Sequence, residues 1–179
     1  LCKKETDNLS ELTRELNRAI EGKNLEETLS ILSRNPDLLD IEKSGISVMH
    51  WACDCDFSQL IPELVKRGCS PNALDENGYP PIYYPSSEGF VSVIRTLLEY
   101  GADIEGLREI EESGYIEQTT PLVRATRNGH LEVVQLLISK GATTKVKDTK
   151  NSILDHAGRH PEVRQFLEKT IKNETSSEA

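Results

Sequence analysis

The sequence predicts an all-α solenoid of stacked helix–turn–helix units, and three observations carry that expectation. One complete unit, TTPLVRATRNGHLEVVQLLISKGA, runs from Thr119 to Ala142. A period accompanies it: Gly45 and Gly78 stand 33 residues apart, as do Gly68 and Gly101. Composition agrees, because aromatic residues make up only 5% of the 179, so Leu, Ile, Val and Ala must form thin aliphatic layers rather than one large core.

The complete unit shows how such a layer is built. Thr120 can cap a helix that opens on Pro121, since its hydroxyl accepts an early orphan N–H and proline has none to satisfy. Gly129 breaks the chain, and Leu131, Val134, Leu137 and Ile138 recur at helical spacing on a second helix. Lys140 and Gly141 supply a basic last turn and a left-handed stop. A helix pair of this size cannot bury its own apolar stripe, so neighbouring copies are a physical necessity.

The other elements follow in order. From Asp7 or Asn8, either a good cap, Leu9, Leu12, Leu16, Ala19 and Ile20 form a helical stripe that ends at Gly22. A short helix through Leu25, Leu29 and Leu32 stops at Pro36. The unit opening at Gly45 runs to Gly78, and the next carries its second helix through Val91, Ile94, Leu97 and Leu98. Between Asp103 and Thr119 the period lengthens, because Gly101 and Gly141 stand 40 residues apart. The last unit is shortened between its helices, and the tail NETSSEA reads as disordered.

The complete unit, the tails GCSPNALDENG and GADIEG, and the helix starts VMHWA and ILDHA resemble the ankyrin-repeat family. That resemblance implies helix pairs stacked side by side, β-hairpin fingers projecting from them, and a concave face lined by fingers and inner helices. It divides the chain into an arm (1–11), a degenerate repeat (12–44), three middle repeats (45–77, 78–117 and 118–150), a truncated cap (151–172) and a tail (173–179).

Departures from the pattern point toward function. In the third unit Pro80 replaces the capping Thr, Tyr83 and Tyr84 replace the usual histidine and leucine, and Pro85 stands where alanine is usual. A proline inside a helix removes an N–H and clashes with a preceding carbonyl, so this inner helix is expected to be short or distorted. Tyr79, Tyr83 and Tyr84 then offer aromatic surface to a partner, unless the rings pack between repeats. Trp51 carries the same two readings, a packing residue between units or an exposed anchor.

The second departure is the extended finger, residues 102–117, with six acids against Arg108 and hence a net charge of −5 out of −9 for the whole chain. Glu109, Glu111 and Glu112, with Tyr115, are its candidate contacts for a basic or mixed peptide, although insertions in surface loops are also tolerated without function. Residues 140–150 carry four lysines and one aspartate, near Arg124 and Arg127 on the preceding inner helix. The array is thus either polarised from an acidic centre to a basic end or simply ends in a solvated finger.

Several function classes are disfavoured. An acidic chain does not neutralise phosphates, which argues against general nucleic-acid binding. No apolar run approaches the ~20 residues that span a bilayer, and the start LCKKETDN lacks a signal peptide's apolar core. The first residue is Leu1, so the chain reads as a piece of a longer protein. Cys2, Cys53, Cys55 and Cys69 lack framework spacing and read as reduced thiols of a cytoplasmic or nuclear protein.

His50 with Cys53 and Cys55 raises a metal site, but His50 stands at the family's helix-start histidine and Cys53 at a small buried position. No cofactor, metal or catalytic constellation is expected. The leading expectation is a non-catalytic, monomeric protein-interaction module. The alternative is an accessory region of a larger enzyme or ligand-binding protein, since HWA resembles ankyrin units of acyl-CoA-binding proteins and palmitoyl transferases.

Overall fold

A computed structural model describes residues 2–39, 46–106, 108–112, 115–145 and 152–177, and for 2–10, 108–112, 115–118 and 177 it describes the backbone. Helices alternate along the chain as pairs: α1 (Cys2–Glu21) with α2 (Leu25–Arg34), α3 (Val48–Asp54) with α4 (Ile61–Lys66), and α5 (Tyr83–Glu88) with α6 (Val91–Glu99). They continue with α7 (Pro121–Asn128) and α8 (Leu131–Ser139), then α9 (Ile153–His156) and α10 (Pro161–Ser177). The inner helices α3, α5, α7 and α9 touch in series, and so do the outer helices α4, α6, α8 and α10. The result is two helical layers enclosing one continuous aliphatic core.

Burial follows the spacing read from the sequence. Leu122 and Val123 of α7 and Val133, Val134 and Leu137 of α8 are essentially inaccessible, as are Val93, Ile94 and Leu97 one unit earlier. Phe57 is the largest of the fully buried side chains. The cap on α7 forms as its chemistry requires: Thr120 Oγ1 accepts from the Val123 amide at 3.2 Å, and Pro121 occupies the first turn.

The extended finger is a β-hairpin. β1 (Arg108–Glu112) pairs antiparallel with β2 (Tyr115–Thr119), placing Arg108 opposite Thr119 and Ile110 opposite Glu117. Gly45, Leu107, Lys147, Asp148 and Lys150 lie outside the described residues.

Both chain ends are more helical than expected. α1 begins at Cys2, so neither Asp7 nor Asn8 caps it, and the arm of residues 2–11 is its first half. α10 runs through Ser177, which makes most of the tail helical. Ile171 packs against the core, and Thr144 Oγ1 donates to Glu174 at 2.9 Å, tying the late turns of α10 to the preceding finger. Those tertiary contacts offset the ordering entropy that a polar segment alone could not.

The inner turns are joined across units in two ways. Gly89 and Gly129 have φ of +85° and +80°, and a β-carbon on them would lie 2.7 Å from His130 Nδ1 and 2.2 Å from His160 Nδ1 respectively. Each imidazole lies over its glycine, with Nε2 at 2.7 Å from the Ser87 carbonyl for His130 and 3.0 Å from the Arg127 carbonyl for His160. Only an N–H satisfies such a carbonyl, so Nε2 carries the proton. At the corresponding N-terminal positions stand Lys23 and Asp56, both at φ +52°, joined by an ion pair of 2.8 Å.

Candidate partner-binding face

The inner helices present one half-buried side chain per unit at matching positions: Trp51 on α3, Tyr84 on α5, Arg124 on α7 and His156 on α9. Small residues beneath them, Ala52, Ala125 and Ala157, are fully buried and bring the helices together. Trp51 lines a narrow crevice with Leu16, Asn17 and Ile20 of α1, so one side of its ring is used in packing.

The third unit holds the densest constellation. Because Pro80 offers no capping hydroxyl, α5 starts late and spans six residues against eight in α7. Pro85 is therefore its third residue, within the first turn, where a missing N–H costs little; the helix is short but continuous. Its entrance is organised by Asp75, only 6% exposed. One Asp75 oxygen accepts from the amides of Asn77 and Tyr79, each at 2.8 Å, and the other accepts from the Tyr84 hydroxyl. Burial first, and then this hydrogen bond, hold the Tyr84 phenol well above its usual pKa, so it remains a protonated donor.

The rings interlock around that carboxylate. Tyr79 and Tyr83 stack with centroids 3.9 Å apart and planes at 22°, and Tyr84 meets Tyr83 edge-on at 5.8 Å. His50 approaches Tyr84 edge-on at 6.0 Å. Its Nδ1 accepts from Ser47 Oγ at 2.8 Å and its Nε2 donates to the Tyr79 carbonyl at 3.0 Å. Arg124 closes the stack, its guanidinium carbon 4.6 Å from the Tyr83 ring centre and its Nε donating to Ser87 Oγ at 3.0 Å. Tyr83 is consequently buried, only 6% exposed, so of the two readings the sequence leaves open for it the packing one holds and the surface-anchor one does not. It positions Tyr79 and Arg124, while Tyr79 and Tyr84 stay partly exposed.

Charge changes along the face. On α3, burial and then the facing charge of Glu88 raise the Asp54 carboxyl above its usual pKa. Toward α9 the sign reverses: Arg127 Nε donates to His156 Nδ1 at 3.0 Å, and Arg127, Asp155, His156, Gly158 and Arg159 line a cleft of about 430 Å³. Arg108, Glu109, Glu111, Glu112 and Tyr115 stand on the hairpin strands, and their side chains lie outside the description.

Cys53 and Cys55 are free thiols, and burial pushes Cys53 far above its usual pKa, which makes it an inert small hydrophobe. Among the described residues no cluster of His, Cys, Asp or Glu has the geometry to hold a metal, and no helix is long and apolar enough to cross a membrane.

A family model described as ankyrin repeats, in three copies, matches residues 16–106, and a single ankyrin-repeat model matches 117–149. The chain belongs to the ankyrin-repeat family. Among its curated relatives is the transient receptor potential cation channel subfamily A member 1 of Homo sapiens, 30% identical over 59% of this chain and 9% of the channel. A glycerophosphocholine phosphodiesterase of Candida albicans is 29% identical over 56% of this chain and 8% of its own length. The probable 26S proteasome regulatory subunit p28 of Saccharomyces cerevisiae is 26% identical over 80% of this chain and 62% of that protein. The chain therefore spans less than two thirds of each of these relatives.

Two elements of the face escape a reading of the sequence. Asp75 sits in a DENG turn, a legible signal for a local side-chain-to-backbone bond, but its link to Tyr84 requires the folded unit. Arg159 lies in the shortened cap, and only the packing of α9 against α7 brings it beside Arg127.

Proposed function

We propose that this ankyrin array is a non-catalytic protein-interaction module that holds a segment of a partner protein across its inner-helix face, centred on the third unit and the acidic hairpin. The observation that carries the reading is the locked stack of Tyr79, Tyr83, Tyr84 and Arg124. Rings held in place before binding lose little rotamer entropy on contact, and tyrosine couples apolar area to a polar tip. The neighbouring hairpin, with Glu109, Glu111 and Glu112, favours a basic or mixed segment. A monomer acting in the cytoplasm or nucleus accords with the thiols at Cys53, Cys55 and Cys69.

The helix start His50–Trp51–Ala52 supplies no argument for an acyl-CoA-binding or palmitoyl-transfer context. His50 is engaged by Ser47 and Tyr79, Ala52 is fully buried, and Trp51 packs toward α1.

Affinity capture from a cell lysate tests the reading, using the wild type, Tyr84→Ala, a combined Glu109→Ala, Glu111→Ala and Glu112→Ala variant, and a hairpin deletion. Captured proteins should fall at least about tenfold with Tyr84→Ala and with both hairpin variants. Recovery of the same proteins at the same level by all four would overturn the placement.

A further inference from the structure

The cap end of the inner-helix face is built differently from the tyrosine stack. Arg127 is half-buried and oriented by His156 Nδ1, while Arg159 lines the same cleft, is exposed and makes no hydrogen bond or ion pair among the described residues. Asp155 is the one acid among the described residues that line the cleft, and its Oδ2 accepts from both the amide and the hydroxyl of Ser152 at 2.8 Å. Those two bonds hold its carboxyl below the usual range and commit it to capping α9. The cleft thus presents two guanidinium groups and one ionised carboxylate among its described lining residues, a net positive charge. Arg124, about one turn before Arg127 on α7, continues the line toward the tyrosine stack.

We propose that this cleft receives an aspartate or glutamate side chain of the partner segment, its carboxylate bridging Arg127 and Arg159 while an adjoining apolar residue lies on Tyr84 and Arg124. The assignment rests on the interaction-module reading and gives it a direction. A guanidinium pair suits a planar carboxylate because parallel N–H donors match its two oxygens. The same acid placed at the α3 end would meet Asp54 and Glu88, whose repulsion rejects the reversed orientation.

Selection of a random linear peptide library on the full chain, followed by binding measurements on the enriched peptides, tests this. The enriched peptides should share an acid at fixed spacing from an apolar or aromatic residue, and exchanging that acid for its amide should weaken binding at least about tenfold. Arg159→Glu, at an exposed position and with an unchanged unfolding midpoint, should weaken the acidic peptide comparably and restore binding to the same peptide carrying lysine in place of its acid. Peptides that lack a common acid, or that ignore Arg159→Glu yet are lost with Tyr84→Ala, would overturn the cleft assignment and leave the module reading standing. Failure to enrich any peptide would overturn both. Inorganic phosphate alone binding at Arg159 as tightly as the acidic peptides would identify a general anion site and sink the carboxylate assignment.

Discussion

The inner helices α5 and α7 occupy the same place in successive units and are stabilised by opposite strategies. α7 carries its own instructions: Thr120 caps it, Pro121 presets its first turn, and Gly129 ends it at φ +80°. α5 lacks the capping hydroxyl and leans on its surroundings, with Asp75 gathering two amides and the Tyr84 hydroxyl, His50 holding the Tyr79 carbonyl, and Arg124 covering Tyr83. A unit that satisfies its own backbone groups has its surface side chains free to vary. A unit completed by its neighbours has its aromatic side chains fixed in place, and fixed aromatics are what a binding face needs. The departure from the repeat pattern at Pro80–Pro85 is therefore a transfer of hydrogen-bonding duty from a local cap to a tertiary network.

The sharpest way to break this contrast is to remove one organiser from each helix. Asp75→Ala strands two backbone donors and a phenol in a largely buried place and should cost about 2–4 kcal/mol in urea unfolding. Thr120→Ala removes a single cap bond and should cost about 1 kcal/mol. Equal losses would show that α5 is no more dependent on its neighbours than α7. The Asp75 variant should also lose near-ultraviolet circular dichroism from the tyrosine stack.

A further pair of changes probes the turns that follow α7 and α8. Gly129→Ala must hold an L-residue at positive φ, at roughly 1–2 kcal/mol, and must also displace the His160 imidazole. Gly141→Ala meets the same backbone restriction at φ +98° with nothing near its new β-carbon. The excess cost of the first over the second in thermal unfolding measures the imidazole contact between units. Identical costs would mean that the imidazole moves aside freely.

The least effect is expected at Asp54, on the acidic end of the face. Burial and Glu88 raise its folded-state pKa above the unfolded value, so the native state binds the proton more tightly. Stability contributed by that proton is present below the unfolded pKa and is lost as pH rises through the folded one. Asp54→Asn should therefore be the more stable protein at neutral pH, by less than about 1 kcal/mol given solvent screening, with the advantage fading toward about pH 4. An advantage that grows on acidification would contradict the assigned cause.

Local periodicity and turn chemistry were legible because they act within a few residues. The 33-residue spacing, the cap at Thr120 and the extended finger between Asp103 and Thr119 could all be read from the chain, as could the shortness of α5 from its prolines. The helicity of residues 173–177 was not, because it depends on Glu174 reaching Thr144 from 30 residues away. The burial of Tyr83 became plain only in the folded array, where it stands in register with the buried His50 and Val123 and carries the Tyr79 ring and the Arg124 guanidinium against its own ring.

The sequence by itself determined the unit, its period and its boundaries, since caps, glycine stops and helical stripes are satisfied over one or two turns. Tertiary structure decided which side chains face a partner. The Asp75 network, the Arg124–Tyr83 contact and the pairing of Arg127 with His156 each join groups from different units. Their geometry exists only after stacking has brought α5, α7 and α9 side by side.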